Sequence, residues 1–369
     1  MEQQKICVGI TQGDINGVGY EVLLKAFDNP MLYELCTPVV YGSPKVAAYY
    51  RKAQEMSTNF TIVNNASEAA EDKLNIVSCM DDEVKVEYGK VDDEAGKAAA
   101  DALQKAVEEY HDEMIDVLVT LPVGHQRIAS DAFPFKSQHA YLEQAVNEGK
   151  KSLAIYVNND FRLASVTENI PLREVPSALT VELLQERITT FHHSLTTDFG
   201  IDAPRIAVLS LNPRSEGQDK FGTEEELVIV PVLSELVDKG MLCFGPYAVN
   251  EFMASESFLH FDGVLAMYHD QGMAVFNTLS LEDGVLYTAG LPLVRTAPAY
   301  TPRYEVSAVG MTDEAPFLKA IYLALDIYRQ RKSECEARNN PLRKQYYDRR
   351  DDSDKLKQMV AETKDEDVL

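Results

Sequence analysis

The sequence predicts an α/β protein of two lobes with a cleft between them. Short apolar runs rich in β-branched residues alternate with longer segments of helical period, the pattern of strands connected by helices. The runs are apolar almost throughout, as in strands covered on both faces. The chain has 369 residues, more than one core usually holds, since cores stop growing near roughly 250–300 residues.

In chain order, KICVGIT (5–11), TPVVYG (37–42), DVLVTLP (116–122), SLAIYV (152–157), RIAVLSLN (205–212) and GVLAMY (263–268) read as buried strands. Helices are expected over 19–27, 93–113, 177–200 and 223–240. In 93–113 the alanines and a leucine recur at helical spacing between acids and lysines, so one face is built for packing. Thr223 and Glu226 have capping-box spacing at the start of the last of these helices. No repeat of solenoid period occurs. The first lobe is expected from 1–135 with 305–330, and the second from 136–304. The stretch 331–369 is dense in charges of both signs and poor in aliphatic residues, so it reads as an exposed extension.

Thirty-five Lys and Arg against 59 Asp and Glu give a formal net charge of -24. Such a surface repels polyanions, which argues against nucleic acid and anionic membranes as partners. The five cysteines are widely spaced, with no CxxC or Cys/His cluster, and point to reduced thiols rather than disulfides or a structural zinc. The opening MEQQKICVGITQGD lacks the charged and long apolar regions of a leader, and no apolar run reaches membrane-spanning length. A soluble cytoplasmic protein is expected.

Candidate chemistry is sought where strands end, because ligands of open α/β sheets bind there. ITQGDINGVGYE (10–21) places Gly13, Gly17 and Gly19 between a strand and a helix, but the spacing is not the dinucleotide fingerprint, and a tight turn is the simpler reading. LNPRSEGQDKFGTEEE (211–226) begins a loop with Asn212 and Arg214, whose guanidinium suits a carboxylate or phosphate. LAMYHDQGM (265–273) sets His269 and Asp270 side by side after an apolar run. AGLPLVRTAPAY (289–300) carries Gly290, Pro292 and Arg295 ahead of an extended proline-containing loop, with Arg295 a plausible anion clamp. His125 and His139 lie in loops near the expected cleft as substitute ligands, whereas adjacent His192 and His193 on one helix point about 100° apart and read as structural.

TQGDINGVGYE, LNP followed by a glycine-containing loop and GTEEE, AMYHDQG and GLPLVRT stand in the order and at the intervals of the 4-hydroxythreonine-4-phosphate dehydrogenase (PdxA) family of vitamin B6 biosynthesis. The resemblance covers residues 5–330, and QYYDRRDDSDKLK (345–357) is similar to the extension of one bacterial branch. It implies two α/β/α lobes similar to isocitrate and isopropylmalate dehydrogenases, a central cleft, and a homodimer with contacts on the second lobe. It also implies NAD as oxidant and a divalent cation held by three histidines, which acidifies the substrate hydroxyl and polarises the ketone before decarboxylation.

Set against the family, His269 matches one metal-ligating histidine and Arg295 a contact to substrate phosphate. The other two metal positions hold Asn169 and Arg214. The family Gly-His-Thr-Glu becomes Ser137, Gln138, His139 and Ala140, a family Asp becomes Asn250, a Lys becomes Asn277, and an Asn becomes Leu286. The cofactor segment HGTAYDIAG becomes YTPRYEVSA (300–308), where Pro302 lacks a backbone donor. Losing two of three nitrogen ligands, one of them to a permanent cation, removes the basis for divalent-metal affinity.

The resemblance therefore implies a catalytically degenerate homologue, with no catalytic residue assigned and His269–Asp270 a remnant. Arg295, Arg214, Gln138 and His139 are the anion-binding candidates, Asn212, Gly290 and Pro292 the cofactor-binding ones, and a small phosphorylated or carboxylate metabolite the expected ligand. Two alternatives stand beside it: an active NAD-dependent oxidoreductase with an altered substrate, and a regulatory or scaffolding partner of a true family enzyme.

Overall fold

The computed structural model describes residues 5–80, 85–124, 128–130, 133–159, 161–214, 221–280, 283–307 and 309–339. His125, most of the loop after Arg214 and the extension from 340 onward lie outside them. The chain divides into two compact units, Met1–Lys332 and Ser333–Leu369.

The first unit is built on one twelve-stranded sheet. Its strands are β1 (Ile6–Thr11), β2 (Cys36–Gly42), β3 (Phe60–Val63), β4 (Leu74–Ser78), β5 (Val117–Thr120), β6 (Leu153–Asn158), β7 (Phe161–Thr167), β8 (Arg205–Leu209), β9 (Leu242–Tyr247), β10 (Gly263–Tyr268), β11 (Val285–Ala289) and β12 (Val294–Pro298). Their order is β3-β4-β2-β1-β5-β12-β11-β6-β7-β10-β8-β9. Strands β3 to β12 in that order are parallel, and so are β7, β10, β8 and β9. Antiparallel pairing of β12 with β11, β11 with β6 and β6 with β7 joins these halves, which therefore run in opposite directions.

The α/β class follows from the sequence for the reason given: β2 and β5 are buried at every residue. The helix Asp93–His111 starts at Asp92, whose side chain accepts from the Ala95 amide. Its buried Ala95, Ala98, Ala99, Ala102 and Ala106 let its backbone close on β1, β2 and β5. The helix Ala315–Asn339 buries Phe317, Ala320, Ile321 and Ala324. Arg331 on it reaches the β11–β12 turn, donating to Asp198 Oδ1 at 2.7 Å, to the Tyr287 hydroxyl at 2.7 Å and to the carbonyls of Leu291 and Pro292. Asp198 Oδ2 also accepts from Ser194 and Tyr287, so this buried carboxylate is held on every side.

Several elements differ from the sequence reading. Residues 294–298, not read as a strand from the sequence, form strand β12, because Val294–Thr296 pair with β5 inside the sheet. Strands β3, β4, β7, β9 and β11 were not expected. The expected helix 223–240 opens with a π-helical turn, Glu225–Ile229, before the α-helix Val230–Asp238, and Glu224 rather than Thr223 holds the N-cap position. The glycine-bearing turn after β1 closes on the chain itself: Asp14 N donates to Pro122 O, Gly17 N to Asp14 O and Val18 N to Pro302 O. Gly17 is required there, since a Cβ would lie 2.7 Å from the Pro302 carbonyl.

Candidate functional site

A cavity of about 300 Å³ opens on the sheet at the junction of its two halves. It is lined by Thr120 and Arg295 from β5 and β12, Tyr156 from β6, Gln138 and His139 from the helix Gln138–Val146, and Asn277 from the helix His269–Leu279.

Arg295 stands at its floor, 4% exposed. No carboxylate meets it among the described residues. Its Nε and Nη2 donate to Thr120 Oγ1 at 3.0 and 2.6 Å, its Nη1 to Thr288 Oγ1 at 3.1 Å, and its Nη2 to Gln138 Oε1 at 3.0 Å. Burial pushes its pKa down from 12.5 to about 10, with Tyr156 acting in the opposite sense. Tyr156 in turn is pushed up to about 12 by burial and by Glu168, against the pull of Arg295. A buried cation with only neutral partners beside a cavity is an arrangement that favours an incoming anion.

His139 is fixed from behind. Glu143 Oε1 accepts from the Ser152 amide at 2.8 Å and its hydroxyl at 3.0 Å. The hydroxyl proton is thereby committed, so Ser152 Oγ accepts from His139 Nε2 at 2.9 Å. Burial would raise the Glu143 pKa, but bonds from His139, the Ser152 amide and Lys151 hold it at about 2. Glu168 lies in reach of the same group: burial raises its pKa, against His139, Arg187 and His269.

The remaining candidates lie outside the cavity lining. Register places Thr167 of β7 opposite Tyr268 of β10, with β8 on the other side of β10. Asn169, Arg214 and His269 therefore leave three neighbouring strands at one end. Asn169 is exposed in a left-handed conformation at φ 52°, and Arg214 is exposed, its carbonyl accepting from the Phe221 amide. His269 Nδ1 lies 2.8 Å from Asp270 Oδ1. Gln271 in the same motif is structural, accepting from the Met267 amide and donating to the Ser210 carbonyl, which staples β10 to β8.

Asn212 is engaged by Glu224 and Glu225. Gly290, at φ 83°, and Pro292 form the β11–β12 turn against Ser152 and Arg331. His192 is half-buried and His193 exposed on the helix Val181–Thr197, and burial lowers the His192 pKa.

Sequence reasoning found Arg295, Gln138 and His139 but not Thr120, Thr288, Tyr156, Glu143, Ser152 or Glu168. The available signal was a hydroxyl inside otherwise apolar strands: Thr120 ends VLVT, and Thr288 interrupts VLYTA.

Fold and cavity together define an α/β protein with a buried arginine at the floor of a pocket where two oppositely directed half-sheets meet. The family pattern described as pyridoxal phosphate biosynthetic protein PdxA matches residues 34–324, and the chain belongs to the PdxA family. The chain is 55% identical over 367 residues to a 4-hydroxythreonine-4-phosphate dehydrogenase from Bacteroides thetaiotaomicron, covering 100% of both proteins. It is 30% identical over 325 residues to one from Sulfurihydrogenibium sp., covering 88% of this chain and 99% of that one. A crystal structure of a 4-hydroxythreonine-4-phosphate dehydrogenase from Burkholderia phymatum superposes with a TM-score of 0.71 at 27% identity, over 88% of this chain and 99% of the other.

Proposed function

We propose that the protein is a catalytically degenerate PdxA homologue, which binds a small phosphorylated or carboxylate metabolite at Arg295 and has lost metal-assisted dehydrogenation. The observation that carries this reading is the side-chain set around His269. Asp270 holds one of its nitrogens, as a carboxylate often does behind a ligating histidine, but the neighbouring strand ends offer an amide at Asn169 and a guanidinium at Arg214. Neither is a neutral nitrogen ligand, and a guanidinium repels a cation. Among the described residues, no three His, Cys, Asp or Glu side chains gather as a metal site would need. The set does not fit a divalent cation.

The segment expected to grip NAD is likewise engaged within the chain. Pro302 O accepts from Val18 N at 3.1 Å, the Tyr304 hydroxyl donates to Asp14 at 2.6 Å, and Arg303 stacks on Tyr300 with its guanidinium carbon 4.7 Å from the ring centre. The reading keeps the two-lobed division, 1–135 with 305–330 and 136–304, the extension 331–369, and a cytoplasmic homodimer. In favour of a paired subunit, Leu227, Val230, Val237, Leu242 and Phe244 are exposed on edge strand β9 and the helical segment before it. No helix among the described residues is long and apolar enough to cross a membrane.

A second reading, an active NAD-dependent dehydrogenase with an altered substrate, draws its dehydrogenase part from the full-length 55% identity to a relative named 4-hydroxythreonine-4-phosphate dehydrogenase. Metal uptake separates the two. On incubation with cobalt or zinc and removal of excess, the wild type is expected to retain a substoichiometric amount, while the Asn169→His, Arg214→His double variant gains affinity. One equivalent retained by the wild type at His269 would overturn the proposal.

A further inference from the structure

A second pocket, of about 600 Å³ against about 300 Å³ for the cavity at Arg295, opens at the amino ends of β7, β8 and β10, and no residue lines both. Phe161 and Arg205 open β7 and β8, and Asp262 stands just before β10. Asn169, Arg214 and His269 lie beyond the other ends of these strands. Strand β7 has 7 residues, so about 20 Å of sheet separates the two ends.

The walls are aromatic and aliphatic. Phe161 meets Phe258 edge to face, with ring centres 5.6 Å apart and planes at 79°. Phe261 backs the pocket, while Leu259 and Leu279 at its rim are 65% and 44% exposed and leave apolar surface in water. The two asparagines in the lining are engaged: Asn158 Nδ2 donates to the Leu279 carbonyl at 2.9 Å, and Asn159 Nδ2 to Asp283 Oδ2 at 3.1 Å.

Two guanidiniums stand in this apolar setting. Arg162 is half-buried, its guanidinium carbon 4.8 Å from the centre of the Phe199 ring and its Nη1 donating to the Asp262 carbonyl at 3.4 Å. The Arg205 side chain is 49% exposed. Asp262 Oδ2 accepts from the Arg205 amide at 2.7 Å and lies 3.5 Å from its Nε, which fixes the inner edge of the guanidinium. Among the described residues no acceptor meets Arg205 Nη1 or Nη2, so the outer edge is available. The described residues lining the pocket hold Asp262 as their one acid against two arginines, a local excess of positive charge on a chain of net charge -24. Such a patch concentrates small anions. The two parallel N–H groups on a guanidinium edge match a carboxylate, and apolar walls with few polar groups suit an apolar body.

We propose that this pocket is a second ligand site, which takes a small organic carboxylate with an aromatic or branched apolar body. The carboxylate lies on Arg205 and the body against Phe161, Phe258 and Leu259. The inference does not depend on what the cavity at Arg295 binds.

The chain has no tryptophan, so Leu259→Trp at the exposed rim puts a single reporter on the pocket. In the full chain carrying that change, 3-phenylpropionate is expected to shift the emission saturably, and calorimetry is expected to show it binding the wild type. The uncharged 3-phenylpropanol is expected to bind about tenfold more weakly, the loss of one charge-assisted contact. Arg205→Gln in the reporter chain is expected to weaken 3-phenylpropionate about tenfold, whereas Arg295→Met leaves its affinity unchanged. Equal affinity for acid and alcohol, or an Arg205→Gln chain that binds as tightly as its parent, would overturn the proposal. So would heat of binding in the wild type with no change in the reporter's emission, or no binding to the folded protein by either method.

Discussion

Replacing Arg295 by methionine separates what the guanidinium does for binding from what it does for folding. Its pKa, pushed down from 12.5 to about 10 by burial, corresponds to about 3 kcal/mol held against the folded state while the group stays charged. For a base with a depressed folded-state pKa the unfolded chain binds the proton more tightly, so this strain is fully present below pH 10 and relaxes only as pH rises from there toward 12.5. Against it stand four hydrogen bonds to uncharged oxygens, worth about 1 kcal/mol each in net terms. The two contributions nearly cancel. Arg295→Met is therefore expected to change stability by no more than about 2 kcal/mol, whereas breaking a carboxylate-paired buried arginine costs roughly 3–5 kcal/mol. Thermal melts with and without anion read both effects. An anion at a hundred times its dissociation constant stabilises the wild type by about 2.7 kcal/mol, and the variant should gain nothing. A variant that loses more than about 5 kcal/mol, or that anion stabilises as much as the wild type, would refute the idea that Arg295 is kept for binding.

Glu143, held at about 2, lends stability that is present above its ordinary pKa of roughly 4.3 and lost as pH falls from there to about 2. Denaturant titrations should show Glu143→Gln less stable than wild type at pH 6 and the difference shrinking through that window; a constant difference down to pH 2 contradicts it. Arg331→Met leaves Asp198 buried without its cation and should cost about 3–5 kcal/mol, part of it recovered by adding Asp198→Asn; equal losses in the single and double variants would deny the coupling. Gly17→Ala forces a methyl against the Pro302 carbonyl and should cost about 1–3 kcal/mol in chemical denaturation, so an unchanged midpoint would show that the turn and the 300–304 segment do not bear on each other.

The strands that the sequence made legible are those buried on both faces, such as β2 with CTPVVYG and β10 with GVLAMY. Three of those it hid lack such a run. Edge strand β9, LCFGPY, carries a glycine and a proline, and β3 exposes Thr61 and Ile62, so neither shows a continuous apolar run. Strand β12 holds Arg295 as its second residue, and a charged residue followed by Thr-Ala-Pro looks like a loop until β5 and β11 are seen to enclose it. The cavity was legible only at its charged and polar tips, Arg295, Gln138 and His139. Thr120 and Thr288 gain meaning through a partner 175 residues away in one case and across a hairpin in the other. The expectation that ligand-bearing residues gather at strand carboxyl ends also needed the strand directions. Because the half-sheets run oppositely, the loop after β12 lies beside the carboxyl end of β6, and Glu168 beside its amino end, about 23 Å along the strand.

The most direct measurement is NAD reduction by the purified protein with 4-phosphohydroxythreonine and excess divalent cation, beside an intact family member under the same conditions. The account predicts no turnover above background while the control is active and the protein is folded. Turnover approaching that of the control would contradict it and return the chain to the dehydrogenases it resembles.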